Sequence, residues 1–379
     1  MTAFPANSSM SHLNRIGASL LLMASFLTLT CVGRGAENNP AFRYQNPLGF
    51  RYESQGRTET ELRDPCIIRE GDTYYVAFTM WPFRGRDAAH LADADNGSSP
   101  GIALYSSKDL QQWTFCNWLL ESSKLPADCP YKHRFWAPEI HKFKDKFYLI
   151  FTADNWLKNE YNPAGHWASA GWAFVGVADR VTGPYEHVTW IEGAGCDTTL
   201  FEDTDGKTYA FIPRGNVDVQ EIDLTGIYQD KVKLLGKPQR IVSPDNADIG
   251  LSTQADYLEG PWATKVGSRY YLFFAAYYSE KKNPHGGAGY FTGVAYADNV
   301  LGPWKKDPRS NVFEGGHLAV FEGPDGKPWF SYRGEHANKA RGQLCIDPVN
   351  LDENGAVASP GPSVGEQSIP LPGKAITGR

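Results

Sequence analysis

Three features of this sequence predict an all-β protein, a five-bladed β-propeller with about four antiparallel strands in each blade. One hairpin-like segment recurs five times along the 379-residue chain. Tyr, Phe and Trp, which favour strands, occur in short bursts, and Gly and Pro are spread along the chain as many tight turns require. No stretch of useful length shows the apolar spacing of an amphipathic helix.

Each recurring segment contains an apolar run, a polar turn and a strand rich in aromatic residues, which is typical of a β-hairpin. The five copies are DPCIIREGDTYYVAFT, WAPEIHKFKDKFYLIFTA, CDTTLFEDTDGKTYAFIP, EGPWATKVGSRYYLFFAA and GHLAVFEGPDGKPWFSYR. Their steps are 73, 61, 62 and 59 residues when the copies are aligned at Tyr75, Tyr148, Tyr209, Tyr271 and Phe330. A further strand-rich segment follows each copy, so each repeat supplies about four strands. Repeats of this size that pack face to face around an axis form a propeller.

Other segments flank the repeats. Residues 1–35 have the pattern of a secretory signal peptide, because Arg15 precedes the apolar stretch IGASLLLMASFLTLTCVG and small residues follow. A retained membrane anchor is the alternative, since this stretch is near the lower limit for spanning a bilayer. We expect an N-terminal segment at 36–59, the propeller domain at 60–358 and a C-terminal tail at 359–379, in a secreted or periplasmic protein.

The charge pattern argues against several classes of partner. The formal net charge is −6, both signs are interspersed and no long basic run occurs. Nucleic acid is therefore not an expected partner, nor is a membrane surface once the signal is removed, and a neutral substrate fits better. The oligomeric state stays open. No CxxC pair indicates a zinc or redox site, and Cys116 and Cys129 are the pair that we consider for a disulfide bridge.

Five residues begin the inner strands at nearly the same phase of the repeat. Counted back by 11, 12, 12, 12 and 13 residues from the aromatic alignment positions, they are Asp64, Trp136, Asp197, Glu259 and His317. Because equivalent positions of a propeller repeat lie at equivalent heights, we expect all five at one end of the central channel. Each residue alone also fits an ordinary role in a turn, a loop or the core, so the shared phase is the argument for function.

Three carboxylates in one narrow channel repel each other, and at least one pKa should rise. Separated pKa values allow one carboxyl group to act as an acid while another acts as a base, and two such groups flanking a bond carry out glycoside hydrolysis. We therefore predict Asp64, Asp197 and Glu259 as catalytic residues. The alternative is a propeller that only binds glycans, but a binding module has little reason to keep three mutually repelling acids.

The five quoted segments together resemble the blade motifs of glycoside hydrolase family 43 over about residues 60–358. The resemblance implies an inverting glycosidase in which Asp64 is the general base, Asp197 tunes and orients the acid, and Glu259 is the general acid. It also implies that Arg341, in ARGQLCIDPV, binds substrate. His317 resembles an axial histidine that contacts the substrate region and holds a water or a calcium ion. Apart from such a structural calcium, the resemblance implies no required cofactor.

Trp136 and Trp81 are the aromatic candidates for stacking on the C–H face of a sugar. Trp81 lies in the first of two long inserts, at 80–101 and 154–171, which we expect to rim the active end. The resemblance implies a carbohydrate substrate from plant or algal polysaccharide and permits α-L-arabinofuranosides, β-xylosides, arabinan and galactosides. Among these we favour α-L-arabinofuranosidase or β-xylosidase activity. Exo or endo action depends on whether the inserts close the cavity, and the sequence leaves this open.

Overall fold

The computed structural model describes residues 40–81, 99–154, 172–282, 288–336, 339–358 and 361–372. The predicted signal sequence and most of both inserts lie outside the described residues. Within these ranges the chain is almost entirely β-structure, with 24 strands. The described helical segments are single 3₁₀ turns at Ser122–Lys124, Ile227–Gln229 and Ala247–Ile249.

Antiparallel sheets follow one another along the chain as five blades. The strands before the first blade are β1 (Ala41–Gln45), β2 (Tyr52–Ser54) and β3 (Arg57–Glu59). Blade I contains β4 (Leu62–Glu70), β5 (Thr73–Met80), β6 (Gly101–Ser107) and β7 (Thr114–Glu121). Blade II contains β8 (Arg134–Phe143), β9 (Lys146–Asp154), β10 (Trp172–Ala178) and β11 (Glu186–Trp190). Blade III contains β12 (Thr199–Glu202), β13 (Thr208–Pro213), β14 (Val217–Asp223) and β15 (Lys233–Val242).

The last two blades complete the array. Blade IV contains β16 (Tyr257–Val266), β17 (Arg269–Tyr278), β18 (Gly289–Ala297), β19 (Lys305–Lys306) and β20 (Phe313–Glu314). Blade V contains β21 (Gly316–Glu322), β22 (Pro328–Arg333) and β23 (Leu344–Pro348), and β24 (Glu366–Pro370) follows it. The predicted five-bladed all-β propeller is confirmed. Blade V departs from the expected four strands, since its sheet has three within the described residues.

The innermost hairpin of each blade closes at the polar turn that the repeat predicts. A residue with positive φ occupies each of these turns: Gly71 (62°), Lys144 (56°), Gly206 (83°), Gly267 (62°) and Gly326 (75°). Tight hairpin turns need such left-handed residues because they match the right-handed twist of the flanking strands. The aromatic alignment positions then face the inner strands in register, for example Tyr75 opposite Ile68 and Tyr148 opposite His141.

Apolar side chains fill the spaces between neighbouring blades. They form five clusters, one for each adjacent pair of blades, so the core closes into a ring. The cluster between blades V and I includes Trp329, which is fully buried. Its ring packs against Phe42 and Tyr44 of the N-terminal segment, with ring centroids 5.7 and 5.3 Å apart. The N-terminal segment therefore contributes to the interface that closes the ring.

The same segment lies where an outer strand of blade V would pair. The Asn46 side chain donates a hydrogen bond to the Ile346 carbonyl at 2.7 Å and accepts one from the Ile346 N–H at 2.9 Å. The Leu48 N–H donates to the Leu344 carbonyl at 3.0 Å, and β1 pairs with β24. These bonds satisfy backbone groups at the edge of β23 that would otherwise be open.

The five cysteines within the described ranges are all free thiols. The bridge between Cys116 and Cys129 that the sequence suggested is therefore not formed: Cys116 is exposed on β7, and Cys129 is buried in the loop before β8. Among the described residues, no helix combines the length and the apolar character that crossing a bilayer requires.

Candidate active site

A cavity of about 480 Å³ opens at the end of the channel where the inner strands begin. All five blades contribute to its wall, either through the start of an inner strand or through the facing end of a neighbouring strand. The lining residues are Arg63, Asp64, Trp136, Thr152, Cys196, Asp197, Pro213, Arg214, Gly215, Tyr257, Leu258, Glu259, Tyr290, His317 and Arg333. The five residues of shared phase, Asp64, Trp136, Asp197, Glu259 and His317, are therefore brought together in one hollow.

A left-handed residue at the start of each inner strand turns side chains into this cavity. In every blade it lies two residues before regular pairing of the inner hairpin begins or resumes, for instance before the Cys66–Ala77 and Trp262–Phe273 pairs. These residues are Asp64 (φ 53°), Ala137 (45°), Asp197 (55°), Gly260 (51°) and His317 (47°). A left-handed conformation costs a residue other than glycine about 1–2 kcal/mol. The propeller therefore holds Asp64, Asp197 and His317 in a strained backbone conformation at the cavity.

The left-handed position divides the predicted residues into two layers rather than one. Asp64, Asp197 and His317 occupy the left-handed position itself, whereas Trp136 and Glu259 lie one residue earlier. The unequal counts of 11 to 13 residues in the sequence concealed this offset. The earlier layer also contains Arg63 and Cys196, which precede the two aspartates and line the same cavity.

Asp64 is held in its ionised form by neighbours from other strands and blades. Its Oδ2 accepts a hydrogen bond from the Thr79 hydroxyl at 2.6 Å, and its Oδ1 lies 3.1 Å from His317 Nδ1. Burial alone would raise the pKa of Asp64, but the charge and hydrogen bond of His317, the Thr79 bond and the Arg63 charge outweigh it and lower the pKa to about 2. The Thr79 hydroxyl is itself fixed, because it accepts a hydrogen bond from the Ala137 N–H at 2.7 Å.

Asp197 has the opposite electrostatic environment. Burial is the largest cause that raises its pKa, the nearby carboxyl groups of Glu259, Asp64 and Glu139 add to it, and the pKa rises to about 8. His317 opposes this rise from 3.9 Å. The backbone N–H of Asp197 donates to the Thr152 hydroxyl at 2.8 Å, which ties the left-handed residue of blade III to the end of β9.

Glu259 is held towards its protonated form. Burial is the largest cause that raises its pKa, and the Asp64 carboxylate adds to it, while a hydrogen bond from Tyr290 and the charges of His317 and Arg63 oppose it. The sequence predicted that Asp197 raises the pKa of Glu259 by like charge. Here the like charge that acts on Glu259 is chiefly that of Asp64, and Glu259 in turn raises the pKa of Asp197.

His317 supplies the positive charge between the two aspartates. Burial would lower its pKa, but the charges of Asp64 and Asp197 and the hydrogen bond to Asp64 raise it to about 10. The imidazole lies against the backbone of Gly260, where a Cβ atom would come within 2.7 Å of the ring. Glycine at this position therefore permits both the positive φ and the close approach of His317.

Two residues predicted to bind substrate do not line the cavity. Trp81 is buried with 6% exposure, and the Arg63 guanidinium lies over its ring at 3.7 Å, so Trp81 supports a cavity residue instead of forming the wall. Arg341 is exposed and lies 3.7 Å from the Glu335 carboxylate. The arginine of blade V that does line the cavity is Arg333, which also pairs with Glu335. The insert aromatics beyond Trp81 lie outside the described residues.

Several cavity residues were not predicted from the sequence. Arg63 directly precedes Asp64, the left-handed residue of blade I. Glu259 precedes Gly260, the left-handed residue of blade IV, in the same way, so the two-layer geometry would have identified Arg63 as a cavity residue. Tyr290 lies at the start of β18, and its hydroxyl is 3.3 Å from that of Tyr257. No sequence signal marks Tyr290, since its strand pairs in the second hairpin of its repeat.

Metal binding stays a prediction. Within the described ranges no group of three or more His, Cys, Asp or Glu side chains is arranged to hold a metal ion directly. The Nε2 atom of His317 is buried without a hydrogen-bond partner. An indirect calcium site, bound through water, would use this atom in the neutral imidazole, because the positive charge that Asp64 and Asp197 favour on His317 repels a cation.

Fold and site together define a propeller whose axial cavity holds one carboxyl group with a lowered pKa, Asp64, and two with raised pKa values, Asp197 and Glu259. Comparison with known proteins identifies the family to which this propeller belongs. The family model for glycosyl hydrolases family 43 matches residues 58–357, so the chain belongs to this family.

The relatives of this chain include proteins named as xylosidases, as α-L-arabinofuranosidases and as a β-D-galactofuranosidase. A β-xylosidase of Bacillus subtilis is 26% identical, over 67% of this chain and 42% of the relative. The extracellular exo-α-(1→5)-L-arabinofuranosidase ArbA of Cellvibrio japonicus is 24% identical, over 71% of this chain and 73% of the relative. The chain spans about half the length of the curated β-xylosidases that it matches. The crystal structure of BlXynB from Bacillus licheniformis superposes with a TM-score of 0.63 at 22% identity, over 87% of this chain and 59% of that protein, and it shows a common fold.

Proposed function

We propose that this chain is an inverting glycosidase that acts on plant or algal polysaccharide fragments, with a β-xyloside or an α-L-arabinofuranoside as its substrate. One observation carries the proposal: in a single cavity, the neighbours of Asp64 lower its pKa to about 2, while burial raises the pKa of Glu259 above its ordinary value. Inverting hydrolysis needs one carboxylate as base and one carboxylic acid as proton donor on opposite sides of the bond. The names of the relatives support the choice of sugars.

The proposed reaction assigns one step to each group. Glu259 donates its proton to the glycosidic oxygen as the bond to the anomeric carbon breaks. Asp64 accepts a proton from a water molecule whose oxygen attacks that carbon from the opposite face, so the released sugar has inverted configuration. Asp197, which also holds a proton near neutral pH, donates a hydrogen bond to a sugar hydroxyl. Trp136 provides an apolar surface at the same level of the cavity as Glu259.

The decisive experiment is hydrolysis of aryl glycosides. We expect the protein to release nitrophenol from 4-nitrophenyl β-D-xylopyranoside or α-L-arabinofuranoside, and NMR of the first product to show the inverted anomer. Asp64→Asn and Glu259→Ala should remain folded and lose turnover, because each removes one proton-transfer group. Binding of glycans without turnover across a broad panel would contradict the proposal and favour a glycan-binding propeller.

We propose that residues 1–35 direct export and that the protein acts in the periplasm or outside the cell, where polysaccharide fragments occur. The extracellular location in the name of ArbA supports this. Edman sequencing of the exported protein tests it, since an N-terminus before residue 30 would contradict cleavage at the predicted site.

A further inference from the structure

Arg63 is fixed in the cavity wall by the ring beneath it. Its guanidinium carbon lies 3.7 Å from the centroid of the Trp81 ring, in a cation–π contact. Trp81 is buried and its backbone carbonyl accepts a hydrogen bond from the Tyr52 hydroxyl, so the platform is held by the N-terminal segment. A planar guanidinium stacked on one face presents its N–H groups sideways, which suits recognition of paired oxygen atoms.

The other cations of the cavity wall each have an acidic partner. Arg333 pairs with Glu335, and Arg214 lies 3.5 Å from Asp218. His317 pairs with Asp64, as described above.

Arg63 differs from these three cations. Within the described ranges its side chain forms no ion pair or hydrogen bond, and its Nε atom is buried without a partner. A buried donor left without an acceptor is unfavourable, and more so when it is charged. Among the residues that the structure describes, the cavity wall therefore keeps one cation with a side-chain hydrogen bond still to be made.

The remaining acids do not neutralise this cation. The pKa values of Asp197 and Glu259 are both raised, chiefly by burial, that of Asp197 to about 8, so burial disfavours the charged form of each group. The ionised carboxylate, Asp64, is already balanced by His317.

We propose that the sugar bound in this cavity carries a carboxylate, and that Arg63 is the residue that binds it. The inference rests on the proposed glycosidase function and narrows its substrate to a uronic acid glycoside. D-Glucuronic acid has the ring and hydroxyl configuration of D-xylose, with a carboxylate in place of one hydrogen on C5. A cavity suited to a β-xyloside therefore needs one additional cation to hold a β-glucuronide, and the guanidinium fork matches a carboxylate in two parallel hydrogen bonds.

The position of Arg63 suits this role. It occupies the same layer of the cavity as Trp136 of the adjacent blade and Glu259, so it reaches a sugar that is bound between Trp136 and Glu259. Its charge is close enough to lower the pKa values of Asp64 and Glu259. A carboxylate bound to Arg63 would reduce this effect and so favour the protonated, proton-donating form of Glu259.

A matched pair of substrates tests the proposal. We compare kcat/KM for 4-nitrophenyl β-D-glucuronide and 4-nitrophenyl β-D-xylopyranoside, in wild type and in Arg63→Met, which keeps an unbranched side chain over Trp81. Wild type should cleave the glucuronide at least as efficiently as the xyloside. Arg63→Met should lower kcat/KM for the glucuronide about 10- to 100-fold, the value of a charged hydrogen bond, and change the xyloside less than about threefold. Arg180→Met, at an exposed arginine outside the cavity wall, is the control variant and should change neither.

Equal losses on both substrates would overturn the proposal, because Arg63 would then bind hydroxyl groups or shape the site. Failure of wild type to accept the glucuronide while it cleaves the xyloside would also overturn it. A binding measurement separates this inference from the proposed function. D-Glucuronate should raise the Tm of wild type more than D-xylose or methyl D-glucuronate does, and Arg63→Met should abolish the difference. If neither of these glycosides nor 4-nitrophenyl α-L-arabinofuranoside is cleaved, the proposed function fails, and this Tm comparison alone decides whether Arg63 binds a carboxylate.

Discussion

Thr79→Val isolates the hydrogen bond that helps to keep Asp64 ionised. Valine has nearly the same shape as threonine, so the main loss is the hydroxyl that donates to Asp64 Oδ2 at 2.6 Å and accepts from the Ala137 N–H at 2.7 Å. A hydrogen bond to a charged group is worth about 1.5–3 kcal/mol, and one pKa unit corresponds to about 1.4 kcal/mol. The pKa of Asp64, about 2 in the wild type, should therefore rise to about 3–4.

The direction of the pH effect on stability depends on whether the folded or the unfolded state binds the proton of Asp64 more tightly. The folded-state pKa of Asp64 lies below its ordinary value of 3.8, so its ionisation stabilises the fold above pH 3.8, and this contribution is lost as the pH falls towards 2. In Thr79→Val the pKa of Asp64 lies closer to 3.8, so the pH range over which this contribution is lost becomes narrower. The acid limb of kcat/KM should move upwards by about one to two pH units, because this limb reports the base of the free enzyme.

The assay is the pH dependence of kcat/KM on whichever aryl glycoside the wild type cleaves, together with urea unfolding at about pH 2.5 and about pH 5, on either side of the pH range in which the contribution of Asp64 is lost. Thr79→Ser is the matched control, since serine keeps the hydroxyl, and its acid limb should remain close to that of wild type. An acid limb that does not move in Thr79→Val, or that moves equally in Thr79→Ser, would refute the reasoning.

Three further predictions concern His317, Gly260 and the closure of the ring. The pKa of His317 is raised from 6.5 to about 10, so its charge stabilises the fold below pH 6.5 and this contribution is lost as the pH rises towards 10. In His317→Gln the free energy of unfolding, measured with urea, should decline less over this pH range, and the acid limb of kcat/KM should move to higher pH. A pH profile identical to that of wild type would count against the ion pair with Asp64. Gly260→Ala should lower the free energy of unfolding by about 1–3 kcal/mol and impair activity, because φ is +51° and the new Cβ would meet the His317 ring. Gly206→Ala is the control, with φ +83° and nothing within 4 Å of the added atom. It should lose some stability in the same unfolding assay and keep its activity. Trp329→Ala should lower the free energy of unfolding by about 3–5 kcal/mol, since a fully buried tryptophan at the contact of blades V and I is removed, and a change below about 1 kcal/mol would show that this contact does not close the ring.

Local pattern was sufficient to predict the fold. A β-hairpin is specified by residues that are close in sequence, namely an apolar run, a left-handed turn residue and an aromatic strand. Five such hairpins at similar steps indicate the blades, and the described turns at Gly71, Lys144 and Gly326 show the expected positive φ. Blade V was less predictable, because the segment beside β23 comes from the other end of the chain, through Asn46 and Leu48.

The candidate site was predictable in part for the same reason. Phase within the repeat identified Asp64, Trp136, Asp197, Glu259 and His317, and all five line the cavity. Phase could not show that two of them lie one residue before the left-handed position, because the number of residues between this position and the aromatic strand varies among the blades.

The sequence by itself thus determined the blades and the set of residues that face the axis, because both depend on local periodicity. Only the tertiary structure decided which acid is ionised, since the pKa of Asp64 depends on Thr79 of the neighbouring strand and on His317 from the far end of the propeller. It also decided that Trp81 lies beneath Arg63 and that Arg333, not Arg341, lines the cavity. These outcomes depend on contacts between residues distant in the chain, which form only when the ring closes.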